Sequence, residues 1–107
     1  MPVITIEFDN KHIKNQEIEN LSIGVRKIVQ DITQIEDVPL YANNSQIKVG
    51  VAPVEIFVRM SAHKIENEDL LFSSLKDKLA EWKKKNHFQY NINLTLIPMN
   101  WKIEINI

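Results

Sequence analysis

The chain has 107 residues, enough for one domain that buries about two-thirds of the surface its unfolded form exposes. Hydrophobic residues make up 44% and charged residues 25%, which excludes a disordered chain; a net charge of −1 with interspersed signs excludes a polyanion-binding surface built on charge. Cysteine is absent, so disulfides, thiolate catalysis and Cys-ligated zinc are excluded.

Pro2 stands directly behind Met1, and residues 3–8 then alternate, with Ile4, Ile6 and Phe8 on one face and Val3, Thr5 and Glu7 on the other. That is strand period. The opening therefore reads as an amphipathic strand and not as a basic run followed by an apolar stretch. No segment approaches membrane-spanning length, so the expectation is a cytoplasmic protein with no membrane partner.

From Glu17 the period changes: Ile18, Leu21, Val25, Ile28, Val29 and Ile32 form the apolar stripe of a helix. Gly24 lowers its intrinsic propensity. Residues 33–45, with Pro39 and Asn43-Asn44-Ser45, read as a long connection. Two strands are expected next, one through Ile47, Val49 and Val51 and one through Ile56, Val58, Met60 and Ala62, with Ala52-Pro53 between them. Asn67 is placed to cap a second helix whose first turn holds Glu68 and Asp69 and whose last holds Lys83, Lys84 and Lys85, complementing the helix dipole at both ends. Ile92, Leu94 and Leu96 then alternate, Pro98 is expected to stop that run, and residues 101–107 alternate again through Ile103, Ile105 and Ile107.

The chain also repeats itself. Pro2-Val3 recurs as Pro53-Val54, His12 as His63, and the stripe Leu21, Val25, Val29, Ile32 as Leu71, Leu75, Leu79, Trp82. Residues 47–53 match residues 92–98 at a shorter offset. One strand-helix-strand unit used twice is expected, over about 2–52 and 53–107 of a single domain spanning 1–107.

Met1-Pro2 and its strand, Val38-Pro39-Leu40, Gln46-Ile47-Lys48-Val49, Phe57-Val58-Arg59-Met60 and Asn100-Trp101-Lys102, set in a doubled β-α-β frame, resemble the tautomerase superfamily. The likeness is to the 5-carboxymethyl-2-hydroxymuconate isomerase branch, and more distantly to macrophage migration inhibitory factor. The resemblance implies an α+β fold: a four-stranded sheet with two helices on one face, and short extra strands that extend a neighbour's sheet in a homotrimer. It implies that Pro2, freed by removal of Met1, shuttles a proton in isomerising a small-molecule substrate, an unsaturated 2-oxo or 2-hydroxy acid. No cofactor, metal or nucleic acid is expected. The alternative is a non-catalytic member of the superfamily or a ferredoxin-like oligomeric module that binds a small molecule or protein; the ferredoxin-like module and a dimeric α/β-barrel share the element order. Strand direction separates them, because a tautomerase pairs parallel strands within each unit.

The physics of such a site stands apart from the resemblance. An α-amine has a reference pKa of about 7.7–8.0, a prolyl amine is more basic, and apolar surroundings disfavour the charged form. The ring fixes φ and aims the lone pair. An in-chain proline nitrogen, by contrast, has no basicity. The bland alternative is a strand start, which proline tolerates.

Three further residues carry an alternative of the same kind. Arg59 lies on the face opposite the core stripe, placed either to pair with Glu55 or Glu7 or to bind a substrate carboxylate with its planar fork. Lys48 is a second candidate for that role; it stands with Gln46 where the isomerase branch carries arginines. Trp101 either packs at a subunit boundary or walls the substrate site. His12, His63 and His87 show no metal-ligand spacing.

Overall fold

The computed structural model describes residues 1–107. Its elements are β1 (Val3–Phe8), α1 (Asn15–Thr33), β2 (Leu40–Asn44), β3 (Val54–Ser61), a 3₁₀ turn (Ala62–Lys64), α2 (Glu68–Lys85) and β4 (Ile92–Met99). They form one four-stranded sheet in the order β2-β1-β3-β4. β1 runs parallel to β2 and β3 parallel to β4, while the central pair β1 and β3 is antiparallel. Parallel strands thus lie within each β-α-β unit, which is the direction test that separates this arrangement from the ferredoxin-like one.

Strand alternation sorts the sheet into two faces. Ile4, Ile6 and Phe8 of β1 and Val54, Ile56, Val58 and Met60 of β3 are buried beneath the helices. All but Met60 meet Ile18, Leu21, Val25 and Val29 of α1 and Leu75 and Leu79 of α2 in one core. Each such aliphatic side chain contributes about 1.5–3 kcal/mol by leaving water. Val3, Thr5, Glu7, Glu55, Phe57 and Arg59 line the other, open face and are only half-buried.

α2 begins as the sequence leads one to expect, with the Asn67 side chain accepting from the Leu70 amide at 3.0 Å and acids and lysines at the expected ends. α1 starts slightly earlier than its apolar stripe, where the Lys14 amide donates to Glu17 Oε1 at 3.3 Å. It ends at Gln34, which takes a left-handed conformation at φ 57°.

Gly24 has a tertiary reason to be in α1. A Cβ built there would come within 2.7 Å of Trp82 Cε2, closer than side chains pack, because the two helices meet at this point. Gly24→Ala therefore trades a gain in helix propensity for overpacking. A net loss of about 1–3 kcal/mol is expected in a urea titration, and Trp82→Leu in the same background should recover part of it.

Three expectations are corrected. The partner of β1 is residues 40–44, the stretch read as a connection, and residues 47–51 are not a strand. β1 pairs with β2 along its length, from Ile4 with Leu40 to Phe8 with Asn44, so that side of β1 is filled before the chain reaches Ile47. Ile47 and Val49 are left 89% and 88% exposed, and Gly50 turns the backbone at φ 70°. The match of residues 47–53 with 92–98 falls with that strand. β4 does not stop at Pro98 but runs through it to Met99; β4 is an edge strand, where a missing amide is tolerated. Residues 101–107 form no strand within one chain, and Ile103 and Ile105 stand more than half exposed. No helix is long and apolar enough to cross a membrane.

Candidate active site

Because β1 and β3 are antiparallel, the start of β1 lies beside the end of β3. Val3 pairs with Arg59, which brings Pro2 level with Met60. Beyond Met60 the chain leaves the sheet through Ser61, makes the 3₁₀ turn and enters α2 at Asn67. On the other side, the connection after α1 is tied back by Arg26 Nε donating to the Val38 carbonyl at 2.8 Å and Gln30 Nε2 donating to that of Glu36 at 2.7 Å. The Ile4 amide donates to the Pro39 carbonyl at 3.0 Å, locking this connection to β1.

These segments enclose a cleft of about 770 Å³. Its apolar walls come from Ile32, Ile35, Met60, Ile65 and Leu71, and Met1 closes one side. Pro2 lies directly behind Met1 with its side chain fully buried. Its placement on the core face follows from the same alternation that buries Ile4 and Ile6. Three charged residues also line the cleft, Asp37, Lys64 and Glu66, all exposed to solvent.

The structure places the other candidate residues as follows. Arg59 is at the same end of the sheet as Pro2 but on the open face. It makes no ion pair with Glu55 or Glu7; its guanidinium lies 5.4 Å from the centre of the Phe57 ring and donates to Thr5 Oγ1 at 3.3 Å. Trp101 is also at this end, its indole N–H donating to Ser61 Oγ at 2.6 Å. Lys48 is at the far end of β1 from Pro2, where its ammonium donates to the Pro53 carbonyl at 2.8 Å just before β3. Within one chain Met1 lines the cleft and Pro2 is buried behind it, Arg59 and Trp101 flank that end of the sheet, and Lys48 is remote.

The cleft-lining charges escaped the reading of the sequence. Lys64 follows the end of β3 by only three residues. An antiparallel β1–β3 pair necessarily sets that stretch around residue 2, so the strand order was the missing signal.

No family model and no curated protein sequence matches the chain. Solved structures match it closely in fold. A macrophage migration inhibitory factor-like protein of Entamoeba histolytica superimposes with a TM-score of 0.66 at 16% identity, covering 96% of this chain and 95% of that one. A fused 4-OT symmetric trimer gives 0.68 at 8% identity, over 91% and 86%. A domain of unknown function from Sebaldella termitidis gives 0.68 at 11% identity, over 100% and 98%. The chain therefore has the fold of the tautomerase and macrophage migration inhibitory factor superfamily. At these identities the likeness establishes architecture, and chemistry has to be argued from the site.

Proposed function

We propose that this chain is a tautomerase acting on a small unsaturated 2-oxo or 2-hydroxy acid, with Pro2 as its proton carrier once Met1 has been removed. The observation that carries this reading is the position of Met1 in the cleft wall with Pro2 buried directly behind it. Loss of Met1 converts the Pro2 nitrogen from an amide to a secondary amine at the edge of an apolar cleft. Apolar walls disfavour its charged form, which brings it towards the working pH where a proton shuttle is most effective.

In the ketonisation of a 2-hydroxy-2-enoate, the amine takes the proton of the 2-hydroxyl as the C2–O bond becomes a carbonyl. It then returns a proton to C3, and the amine ends neutral as it began. The ring holds the nitrogen in one direction throughout, because it ties the nitrogen back to Cα through the side chain.

The proposal includes a cytoplasmic homotrimer. One of the structures sharing this fold is named as a symmetric trimer. Residues 47–51 and 101–107 have strand patterning, yet Ile47, Val49, Val51, Ile103, Ile105 and Ile107 lie exposed in one chain. Added to a neighbour's sheet, they would shield the apolar side chains that a free chain leaves in water. In that assembly Arg59, Trp101 and Lys48 are candidates to reach the cleft of an adjacent subunit and contact substrate there.

The test compares two preparations in the ketonisation of phenylenolpyruvate, one with Met1 removed as judged by intact mass and one with the N-terminus blocked by an added residue. The processed protein should turn over at least about 100-fold faster, the ordinary scale of acid–base catalysis. Equal rates would remove the proline from the chemistry and leave the reading as a binding module.

A further inference from the structure

We propose that Lys64 grips the substrate carboxylate in the cleft, and that Asp37 and Glu66 turn dianions away; this rests on the tautomerase reading of the same cleft. Of Lys48, Arg59 and Lys64, only Lys64 lines the cleft within one chain. Alternation along β3 sends Met60 into the cleft and Arg59 to the opposite face. Arg59 is already engaged by Phe57 and Thr5, and Lys48 by the Pro53 carbonyl.

Lys64 has no such engagement. The three ion pairs of the chain join His12 to Asp9, Lys27 to Asp31 and Lys78 to Glu81. The only lysine ammonium that donates a hydrogen bond within the chain is that of Lys48. The Lys64 ammonium is therefore free to meet an anion. The 3₁₀ turn fixes where its stem leaves the backbone, through the Ile65 amide donating to the Ala62 carbonyl at 3.1 Å.

The balance of charge then sets the substrate class. Two carboxylates face one ammonium around the cleft, and neither is held in an ion pair. A monocarboxylate satisfies Lys64 and lays its apolar body against Met60, Ile65 and Leu71. Within one chain, a second carboxylate on the same molecule has only Asp37 and Glu66 left to approach, and their like charge disfavours it.

The proposal is tested by equilibrium binding, which does not depend on turnover. Processed protein is titrated with cinnamate, with the neutral cinnamamide and with the dianion 4-carboxycinnamate, and amide NMR shifts report whether each enters the cleft. Lys64→Gln should weaken cinnamate by about tenfold or more, the scale of one charge-assisted hydrogen bond, and should leave cinnamamide unchanged. Lys64→Arg should restore cinnamate. The dianion should bind wild type more weakly than cinnamate does, and Glu66→Gln should narrow that gap.

Cinnamate binding wild type and Lys64→Gln equally, or failing to enter the cleft at all, overturns the proposal. Lys64-dependent binding in a processed protein that does not ketonise phenylenolpyruvate would instead sink the tautomerase reading and leave the anion anchor standing.

Discussion

In protein whose intact mass confirms loss of Met1, Pro2→Ala is expected to lower the ketonisation rate of phenylenolpyruvate by about 100-fold or more. The variant still ends in an amine, so the loss measures what the ring contributes: a secondary nitrogen of higher basicity, held in place by its own ring. Pro2 is fully buried on the core face, and its truncation also removes packing. A stability loss of about 1–2 kcal/mol is expected alongside, small enough that circular dichroism and NMR should show an intact sheet. A folded variant with wild-type rate would reduce Pro2 to a strand start. A folded variant that is nearly inactive, with its affinity for cinnamate retained, would place the defect in proton transfer and not in binding.

The second large effect is on assembly. Ile103→Ser, Ile105→Ser and Ile107→Ser combined are expected to convert a trimer into monomers by sedimentation velocity at micromolar concentration. These side chains are exposed in the single chain, Ile103 at 53% and Ile105 at 57%, so the substitutions remove nothing from the core of the protomer. Whatever they cost must come from burial against another copy. At about 25 cal/mol per Å² of apolar area, three isoleucines repeated around a ring amount to several kcal/mol per subunit. Ketonisation should fall together with the trimer if Arg59 and Trp101 act on the cleft of a neighbour. A monodisperse monomer in the wild type, fully active, would overturn both the assembly and that sharing of residues.

How far the sequence could be read varies by element, and the reasons are physical. α2 is legible because every signal for it is local: a capping side chain, acids in the first turn, lysines in the last and an apolar stripe between them. β1 and β3 are legible because alternation over six and eight residues has no helical reading. β2 is not. Its sequence, LYANN, shows no alternation of apolar and polar residues and ends in two asparagines, which strands disfavour. It becomes a strand because β1 offers it hydrogen-bonding partners and because its polar side chains find specific ones. Asn43 Nδ2 donates to Glu7 Oε1 at 3.1 Å, and Asn44 Oδ1 accepts from the Asn10 amide at 3.0 Å. The reverse holds for Ile47, Val49 and Val51, which have the better pattern and no free edge of β1 to join.

The site divides in the same way. Pro2 stands out in the sequence because the chemistry proposed for it depends on its place next to Met1, which is a property of the chain. Lys64, Asp37 and Glu66 do not, because each is an ordinary surface charge until strand order brings the end of β3, the end of α1 and the start of α2 to one place.

The sequence by itself determined the periods of β1, α1, β3 and α2, their buried faces and the capped second helix, since all of these follow from interactions within a few residues along the chain. Only the tertiary structure decided which segment pairs with β1, which side of the sheet each cation faces and which charges share a cleft with Met1. Those are questions of register and strand direction. Register is settled by many weak long-range contacts acting at once, and no single stretch of the chain encodes it.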